Sequence, residues 1–262
     1  MIIEASFDPI TSAAITEIRK IQKTEGIRDI YVQVSDVGIA SKHDRTQMLK
    51  LAFGRFRHIH VTSDQLPDRV LTEPNDDEYR TRCGYFRLVP ACVRHYLIEN
   101  NIYLPQIVEA QCTPKRAIHS KGVADTCVIL ARAHHLDEKI AERMGYLHDV
   151  TKAMSQEEGR AMLEIWSPSD LSLHHAIWHS RTAVFWLKQN MGLYDHRILD
   201  PIWNHTLGEG KSAYDMILYI ADKIEPNRNY DTTYHLALAK KDLKQAMEYV
   251  KKEGEEYRKK GK

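Results

Sequence analysis

The chain carries, just past its midpoint, the stretch Ile140-Ala141-Glu142-Arg143-Met144-Gly145-Tyr146-Leu147-His148-Asp149. Its apolar side chains recur at the spacing of one helix face, which predicts an amphipathic helix that ends in an adjacent histidine and aspartate. The same helical spacing returns from Pro114 onwards, without any strand pattern. The second half is therefore predicted to be an all-α bundle, with further helices near 156–165, 174–190, 197–205, 212–224 and 238–259.

The first hundred residues show a different pattern, in which short β-like runs alternate with helical segments. Strands are predicted at 1–5, 30–34 and 58–62, helices at 11–23, 41–52 and 90–100, and a loop at 63–77. This alternation is typical of a parallel α/β unit, here half of a doubly wound sheet. We therefore predict two domains, an α/β domain at 1–105 and an all-α domain at 115–262, joined by a linker at 106–114.

The composition describes an ordinary globular protein. The 262 residues include 37 lysines and arginines against 36 aspartates and glutamates, a formal net charge of +1, and 43% are hydrophobic. This balance gives no reason to expect a nucleic-acid partner. Apolar runs such as Met216–Ala221 are far shorter than the roughly 20 residues of a membrane span, and the first residues lack the features of a secretory signal. We expect a cytoplasmic protein with reduced cysteines and no membrane partner.

The adjacent His148 and Asp149 are the first candidate metal ligands. Such a dipeptide at the end of a helix is, on its own, often only a polar helix terminus. However, His119 and Asp222 each lie on another predicted helix, and Asp222 follows the apolar run Tyr219-Ile220-Ala221. A carboxylate in that setting costs desolvation energy unless it pairs with a cation such as Lys223 or binds a metal. Two histidines and two aspartates would leave positions open for water and substrate oxygens, as hydrolytic metal sites require.

Further motifs follow in an order that resembles the YqeK-type branch of the HD phosphohydrolase superfamily, the symmetrical diadenosine tetraphosphate hydrolases. The resemblance covers about residues 112–250. It is carried by Arg116-x-x-His119-Ser120, Leu147-His148-Asp149-x-x-Lys152, Trp178-His179-Ser180, Asn204-His205-Thr206 and Ile220-Ala221-Asp222-Lys223-Ile224-Glu225-Pro226-Asn227-Arg228.

The resemblance implies an enzyme that splits diadenosine tetraphosphate into two ADP with a divalent metal, expected to be iron, with manganese as an alternative. It implies metal ligands at His119, His148, Asp149 and Asp222. It implies nucleotide contacts at Arg116, His148, Lys152, His179, His205 and Arg228, with Lys152, His179 and Asp149 in the catalytic set. Arginine forks, lysine and imidazoles around a cation are also the groups that bind polyphosphates best.

Several alternatives stay open at this point. His174 and His175 offer a competing register for the role of His179, and His205 taken alone fits a core-edge position. Either His179 or His205 could protonate the leaving ADP, or only neutralise charge. Rival functions are an HD hydrolase of another nucleotide and a non-catalytic nucleotide sensor. A homodimer is one option for the assembly.

The N-terminal half resembles a shortened nicotinate mononucleotide adenylyltransferase, a Rossmann-like nucleotidyltransferase. The matching fragments are Ser6-Phe7-Asp8-Pro9-Ile10, Arg45-x-x-Met48-Leu49-x-Leu51-Ala52 and Leu88-Val89-Pro90-Ala91. Members of that family carry an H-x-G-H pair of histidines after the first fragment, whereas this chain has Thr11-Ser12-Ala13-Ala14. Because both histidines are missing, we expect a nucleotidyltransferase-like domain without transfer activity.

Overall fold

The computed structural model describes residues 1–71 and 76–260. The chain divides into two compact units, one formed by Met1–Tyr103 with Asn190–Gly192, the other by Leu104–Gln189 with the chain from Leu193 onwards. Most of the described residues are helical, and the strands all lie in the first unit. No helix within residues 1–71 and 76–260 is long and apolar enough to cross a membrane.

The first unit is built on a small parallel sheet. Its strands are β1 (Ile2–Ala5), β2 (Ile30–Val34), β3 (Ile59–Val61) and β4 (Arg69–Val70), in the order β3-β2-β1-β4. Its helices are α1 (Ser12–Thr24), α2 (Lys42–Phe53), α3 (Asp76–Arg82) and α4 (Ala91–Glu99), with a 3₁₀ turn at Phe86–Leu88. Thr11 and Ser41 cap α1 and α2, since each side-chain oxygen accepts a hydrogen bond from a backbone N–H three residues on. These caps confirm two of the predicted helix starts.

The predicted loop at 63–77 is wrong in part. Residues 69–70 form β4, which pairs in parallel with β1 through Ile3 opposite Arg69 and Glu4 opposite Val70. Helix α3 begins at Asp76, and residues 72–75 lie outside the described residues. A two-residue strand has no periodicity to detect, because only its pairing with β1 defines it.

The described residues of the second unit form helices joined by turns, with no strand among them. Its α-helices are α5 (Leu104–Gln111), α6 (Pro114–Ala133), α7 (Glu138–Leu147), α8 (Gln156–Trp166), α9 (Trp178–Trp186), α10 (His196–Asn204), α11 (Ala213–Ile224), α12 (Thr233–Lys241) and α13 (Leu243–Lys260). Short 3₁₀ turns at Pro168–Ser172 and His175–Ile177 precede α9, and a π-helical turn at Leu187–Met191 follows it.

One predicted linker and two predicted helices differ from the structure. The segment 106–114, expected as a linker, is largely taken up by α5, because Pro105 sits in the first turn of that helix, where proline is tolerated. The single helix expected at 174–190 is divided into a 3₁₀ turn, α9 and a π-helical turn. The helix expected at 238–259 is two helices, since Asp242 between them adopts an extended backbone with φ −151° and ψ 106°.

Candidate metal centre

Three helices bring the four predicted metal ligands together. His119 lies on α6, and Asp222 lies near the end of α11. His148 directly follows the last residue of α7 and precedes Asp149. Helices α6, α7 and α11 all pack against one another. Gly145 on α7 permits this approach, because a Cβ at this position would lie only 2.5 Å from the Cα atom of Ala124 on α6.

The side chains of these four residues face one point. The Nε2 atom of His119 is 3.1 Å from Oδ1 of Asp222 and 3.8 Å from Oδ2 of Asp149. The Nε2 atom of His148 is 3.4 Å from Oδ2 of Asp149 and 3.8 Å from Oδ1 of Asp222. All four residues are buried. We call this group the HD cluster.

The polar atoms of the HD cluster are arranged for a cation. Within the described residues, Nε2 of His119, Nε2 of His148 and Oδ1 of Asp149 are buried and accept or donate no hydrogen bond. The opposite ring nitrogens are engaged, because Nδ1 of His148 lies 2.8 Å from the carbonyl oxygen of Gly145 and Nδ1 of His119 lies 3.2 Å from Oε1 of Glu225. With the proton on Nδ1, the lone pair of Nε2 is available to a metal. The donor set therefore fits a divalent ion with mixed nitrogen and oxygen ligands.

Glu225 is not among the predicted site residues, although it lies inside the matched run Ile220–Arg228. It is buried, and its Oε2 accepts hydrogen bonds from the backbone and the side-chain amide of Asn227. Gly122 on α6 leaves the room that the carboxylate needs, since a Cβ there would lie 2.5 Å from Oε2. Glu225 thus orients the His119 ring from outside the HD cluster.

A second group of buried potential ligands shares His148 and Asp149 with the HD cluster. It consists of His148, Asp149 and His205, with ligand atoms close enough to share a metal ion. The Nδ1 atom of His205 lies 2.7 Å from the carbonyl oxygen of Ile202, so the ring proton lies on Nδ1 and Nε2 carries a lone pair. This Nε2 atom is 3.7 Å from Asp149 Oδ1. Burial lowers the pKa of His205 to about 4, so its imidazole is neutral at neutral pH.

Of the histidines in the two competing registers, His179 is the one that approaches Asp149. Its Nε2 atom lies 3.1 Å from Asp149 Oδ1 and 3.2 Å from Nε2 of His205. His174 instead caps the short turn before α9, and His175 is exposed. The competing register is therefore not the one that approaches Asp149.

The predicted phosphate-binding cations border the cluster. Nη1 of Arg116 lies 2.8 Å from Asp149 Oδ2, Nζ of Lys152 lies 2.9 Å from Nδ1 of His179, and Arg228 contacts the backbone and side-chain oxygens of Asp222. Lys223 forms an ion pair with Oδ2 of Asp222. Asp222 therefore meets both expectations, a pair with Lys223 and a place in the metal site. Its Oδ2 pairs with Lys223, and its Oδ1 faces His119.

Opposing effects act on the pKa values of the carboxylates. Burial raises the pKa of Asp149, yet His148 and the neighbouring imidazoles outweigh it and hold that pKa well below the ordinary value. Burial also raises the pKa of Asp222, and Lys223 together with His119 reverses that effect. Burial lowers the pKa of the Lys152 amine. Both aspartates are therefore anionic at neutral pH, as ligands of a cation must be.

An adjacent histidine and aspartate that share a buried cluster with a second histidine and a second aspartate define the class of the HD-domain hydrolases. The model of the HD domain family matches residues 116–227. A symmetrical bis(5'-nucleosyl)-tetraphosphatase of Bacillus subtilis is 34% identical over 144 residues, which cover 53% of this chain and 77% of that protein. The chain belongs to the HD-domain family, in the branch of the symmetrical bis(5'-nucleosyl)-tetraphosphatases.

Two further similarities extend this result. A Mycoplasma pneumoniae protein described as a probable nicotinate-nucleotide adenylyltransferase/Ap4A hydrolase is 35% identical over 175 residues, or 64% of this chain. The match spans only about half, 51%, of that relative's own length. The crystal structure of a Clostridium acetobutylicum HD superfamily hydrolase involved in NAD metabolism is also similar, with a TM-score of 0.50, 27% identity, and coverage of 58% of this chain and 87% of that one.

Proposed function

We propose that this chain is a metal-dependent phosphohydrolase that cleaves diadenosine tetraphosphate symmetrically into two ADP. The observation that carries the proposal is the HD cluster, in which the buried atoms His119 Nε2, His148 Nε2 and Asp149 Oδ1 lack hydrogen-bond partners among the described residues. Arg116, Lys152 and Arg228 border the cluster. The relatives named for this hydrolysis support the choice of substrate.

His119, His148, Asp149 and Asp222 would hold the metal ion, which we propose to be iron. When bound, a divalent ion supplies Lewis acidity at the scissile phosphate and lowers the pKa of water. Asp149 presents its two oxygens to different neighbours, Oδ2 to His119 and His148 and Oδ1 to His179 and His205. It therefore links the metal ligands to the imidazoles that would act on the substrate.

Arg116, Lys152 and Arg228 would bind the oxygens of the polyphosphate. Guanidinium and ammonium groups form charge-assisted hydrogen bonds with phosphate, and these bonds strengthen in a site from which water is largely excluded. A substrate with four phosphates carries negative charge on both sides of its central bridge. Cations that flank the cluster can therefore centre that bridge on the reacting position, which leads to two equal products.

The hydrogen bonds favour His179 over His205 as the proton donor to the leaving ADP. Nζ of Lys152 lies nearer to Nδ1 of His179, at 2.9 Å, than to Nε2, at 3.3 Å. If the ammonium donates to Nδ1, the proton of that ring lies on Nε2. His205 donates from Nδ1 to Ile202, so its Nε2 can accept the His179 proton across 3.2 Å. In this tautomer the proton is carried by His179, next to Nε2 of His205 and Oδ1 of Asp149, and His205 supplies only a lone pair.

The test is product analysis with purified protein. Diadenosine tetraphosphate is incubated with the metal-loaded chain, with the EDTA-treated chain and with Asp149→Asn, and the nucleotides are separated by ion exchange. We expect ADP alone from the loaded parent and intact substrate in the other two samples. Formation of AMP with ATP, or no cleavage by the loaded parent, refutes the proposal.

We also propose that the first unit does not transfer adenylyl groups. Thr11 accepts a hydrogen bond from the backbone N–H of Ala14, and both carboxylate oxygens of Asp8 are engaged, with the backbone N–H groups of Ile39 and Ala40. No imidazole stands at positions 11–14 to stabilise a transferring phosphate. Release of pyrophosphate from ATP and nicotinate mononucleotide would disprove this. The nucleotidyltransferase-like assignment of 1–105, the cytoplasmic location and the homodimer stay predictions.

A further inference from the structure

Three consecutive residues of α9 each contact the chain at the end of α10, and both helices belong to the second unit. The Nε2 atoms of His179 and His205 are 3.2 Å apart, and the hydroxyls of Ser180 and Thr206 are also 3.2 Å apart. Arg181, the third residue, donates from Nη1 to a backbone carbonyl oxygen of α10. All three residues of α9 are buried. The approach of the two imidazoles is therefore part of a wider contact between the helices.

Arg181 makes the strongest of these contacts. Its Nη1 donates to the carbonyl oxygen of Trp203, and its guanidinium carbon lies 4.3 Å from the centre of the Trp203 ring. Its Nε lies 3.7 Å from Oδ1 of Asp170, whose Oδ2 accepts a hydrogen bond from the Ser167 hydroxyl. A planar guanidinium can donate in its plane and stack on its face, which an ammonium cannot do. Arg181 therefore holds both the backbone and the ring of Trp203.

A contribution to stability is a poor explanation for an arginine at this position. Only 4% of Arg181 is exposed, and its Nε has no hydrogen-bond partner within the described part of the chain. Burial lowers the pKa of its guanidinium, which reflects the cost of removing this charge from water. An apolar side chain of similar volume is often equally stable or more stable in place of a buried charge. The arginine therefore calls for another role.

The position of Arg181 relative to the imidazoles indicates that role. It lies two residues after His179, and its acceptor Trp203 lies two residues before His205. We propose that Arg181 is a positioning residue for the pair His179 and His205, and that its hold on the Trp203 carbonyl sets how closely the last turn of α10 approaches α9. This inference rests on the function proposed above and adds to it the residue that aligns two of its histidines.

Steady-state kinetics of diadenosine tetraphosphate cleavage separates alignment from substrate binding. Arg181→Met keeps the length of the side chain but removes the donor. We expect it to keep its metal, to lower kcat by about ten- to a hundredfold and to leave KM within about twofold, because a misplacement of about 1 Å can cost that much in rate. Arg181→Lys, which keeps a charged donor without the planar fork, should lose less kcat. A parent value of kcat in Arg181→Met overturns the inference.

Asp170→Asn is the matched control. It removes the ion pair with Arg181 and leaves the contact of the guanidinium with Trp203 in place. We expect its kcat to equal that of the parent, even where its midpoint of urea unfolding is lower. A loss of kcat as large as that of Arg181→Met would mean that general packing around the arginine, and not its hold on Trp203, matters for turnover, which contradicts the inference.

Magnetic resonance of the imidazole nitrogens gives a readout that does not depend on cleavage. Long-range proton–nitrogen spectra are recorded on the EDTA-treated full chain, with signals assigned through His179→Gln and His205→Gln. Arg181→Met should shift the signals of both rings and leave those of His196, at the exposed start of α10, unchanged. Unshifted signals of His179 and His205 overturn the inference. If Arg181→Met does not fold, parent kcat and parent signals in Arg181→Lys overturn it instead.

The two proposals fail separately. Shifted imidazole signals in Arg181→Met, together with a parent that does not cleave diadenosine tetraphosphate, refute the hydrolase and support the positioning role. Cleavage by the parent, together with unshifted signals and parent kcat in Arg181→Met, refutes the positioning role and supports the hydrolase.

Discussion

The Nε2 atom of His119 lies 3.1 Å from Oδ1 of Asp222, although the two residues belong to different helices, α6 and α11. The pair is not aligned as a hydrogen bond, since Nε2 of His119 has no such partner within the described residues. Two ligand atoms that approach without bonding to each other leave a common point between them for a cation. This relationship motivates the first prediction.

Asp149→Asn and Asp222→Asn should each lose bound metal, because an amide oxygen has no charge to offset that of the ion. Hydrolysis of diadenosine tetraphosphate should fall by at least about a hundredfold. Metal content is measured by mass spectrometry of the purified protein. Asp125→Asn, on the exposed face of α6, is the matched control and should bind metal as the parent does. Full metal content in both cluster variants would show that the ligands are assigned wrongly.

Glu225→Gln should lower metal affinity by about 10–100-fold without abolishing it. The carboxylate lies 3.2 Å from Nδ1 of His119, where it holds the ring in the orientation that turns Nε2 toward the cluster. Competition with a chelator measures the affinity, and Glu164→Gln on the surface of α8 serves as control. An unchanged affinity would mean that helix packing alone orients His119.

Arg116→Ala and Lys152→Ala should reduce turnover by about ten- to a hundredfold while the protein keeps its metal. Each loses a charge-assisted hydrogen bond to substrate phosphate, worth about 1.5–3 kcal/mol, and neither side chain has a lone pair to give a metal at neutral pH. Arg160→Ala, an exposed arginine of α8, should leave turnover unchanged. If metal is lost instead, the 2.8 Å contact of Arg116 with Asp149 serves to position that ligand.

Gly145→Ala should destabilise the protein by about 1–3 kcal/mol, because the new methyl group would overlap the backbone of Ala124 and force α6 and α7 apart. The matched change Gly254→Ala, on an exposed part of α13 with open space around it, should stabilise by about 0.5–1 kcal/mol through helix propensity. Urea unfolding monitored by circular dichroism measures both. Equal effects of the two changes would contradict the packing argument.

Glu78→Gln should raise the free energy of unfolding at neutral pH. Burial raises the pKa of Glu78, despite the hydrogen bond that it accepts from the Ser6 hydroxyl. The unfolded carboxyl therefore ionises at lower pH than the folded one, so stability falls as the pH rises through the folded pKa. The advantage of the glutamine should shrink as the pH falls below the ordinary value of 4.5. Denaturant titrations at neutral pH and at a pH below 4.5 test this prediction. The control Glu17→Gln, at an exposed glutamate of α1, should show no such trend.

Local sequence signals by themselves determined most of the secondary structure and the four candidate ligands. Caps such as Thr11 and Ser41 act on backbone groups within one turn, and helix periodicity is a property of one segment, so neighbours along the chain suffice to predict them. Asp222 could be singled out because a carboxylate in an apolar helix needs a partner wherever that helix packs.

The use of these groups depends on contacts between segments that are distant in sequence. Strand β4 is defined by its pairing with β1, and α5 occupies most of the segment predicted as a linker. The two oxygens of Asp149 have different neighbours, and Glu225 supports His119; both relationships join segments distant in sequence. Distances between such segments depend on how closely the helices approach, and that approach is set by packing contacts such as Gly145 against Ala124.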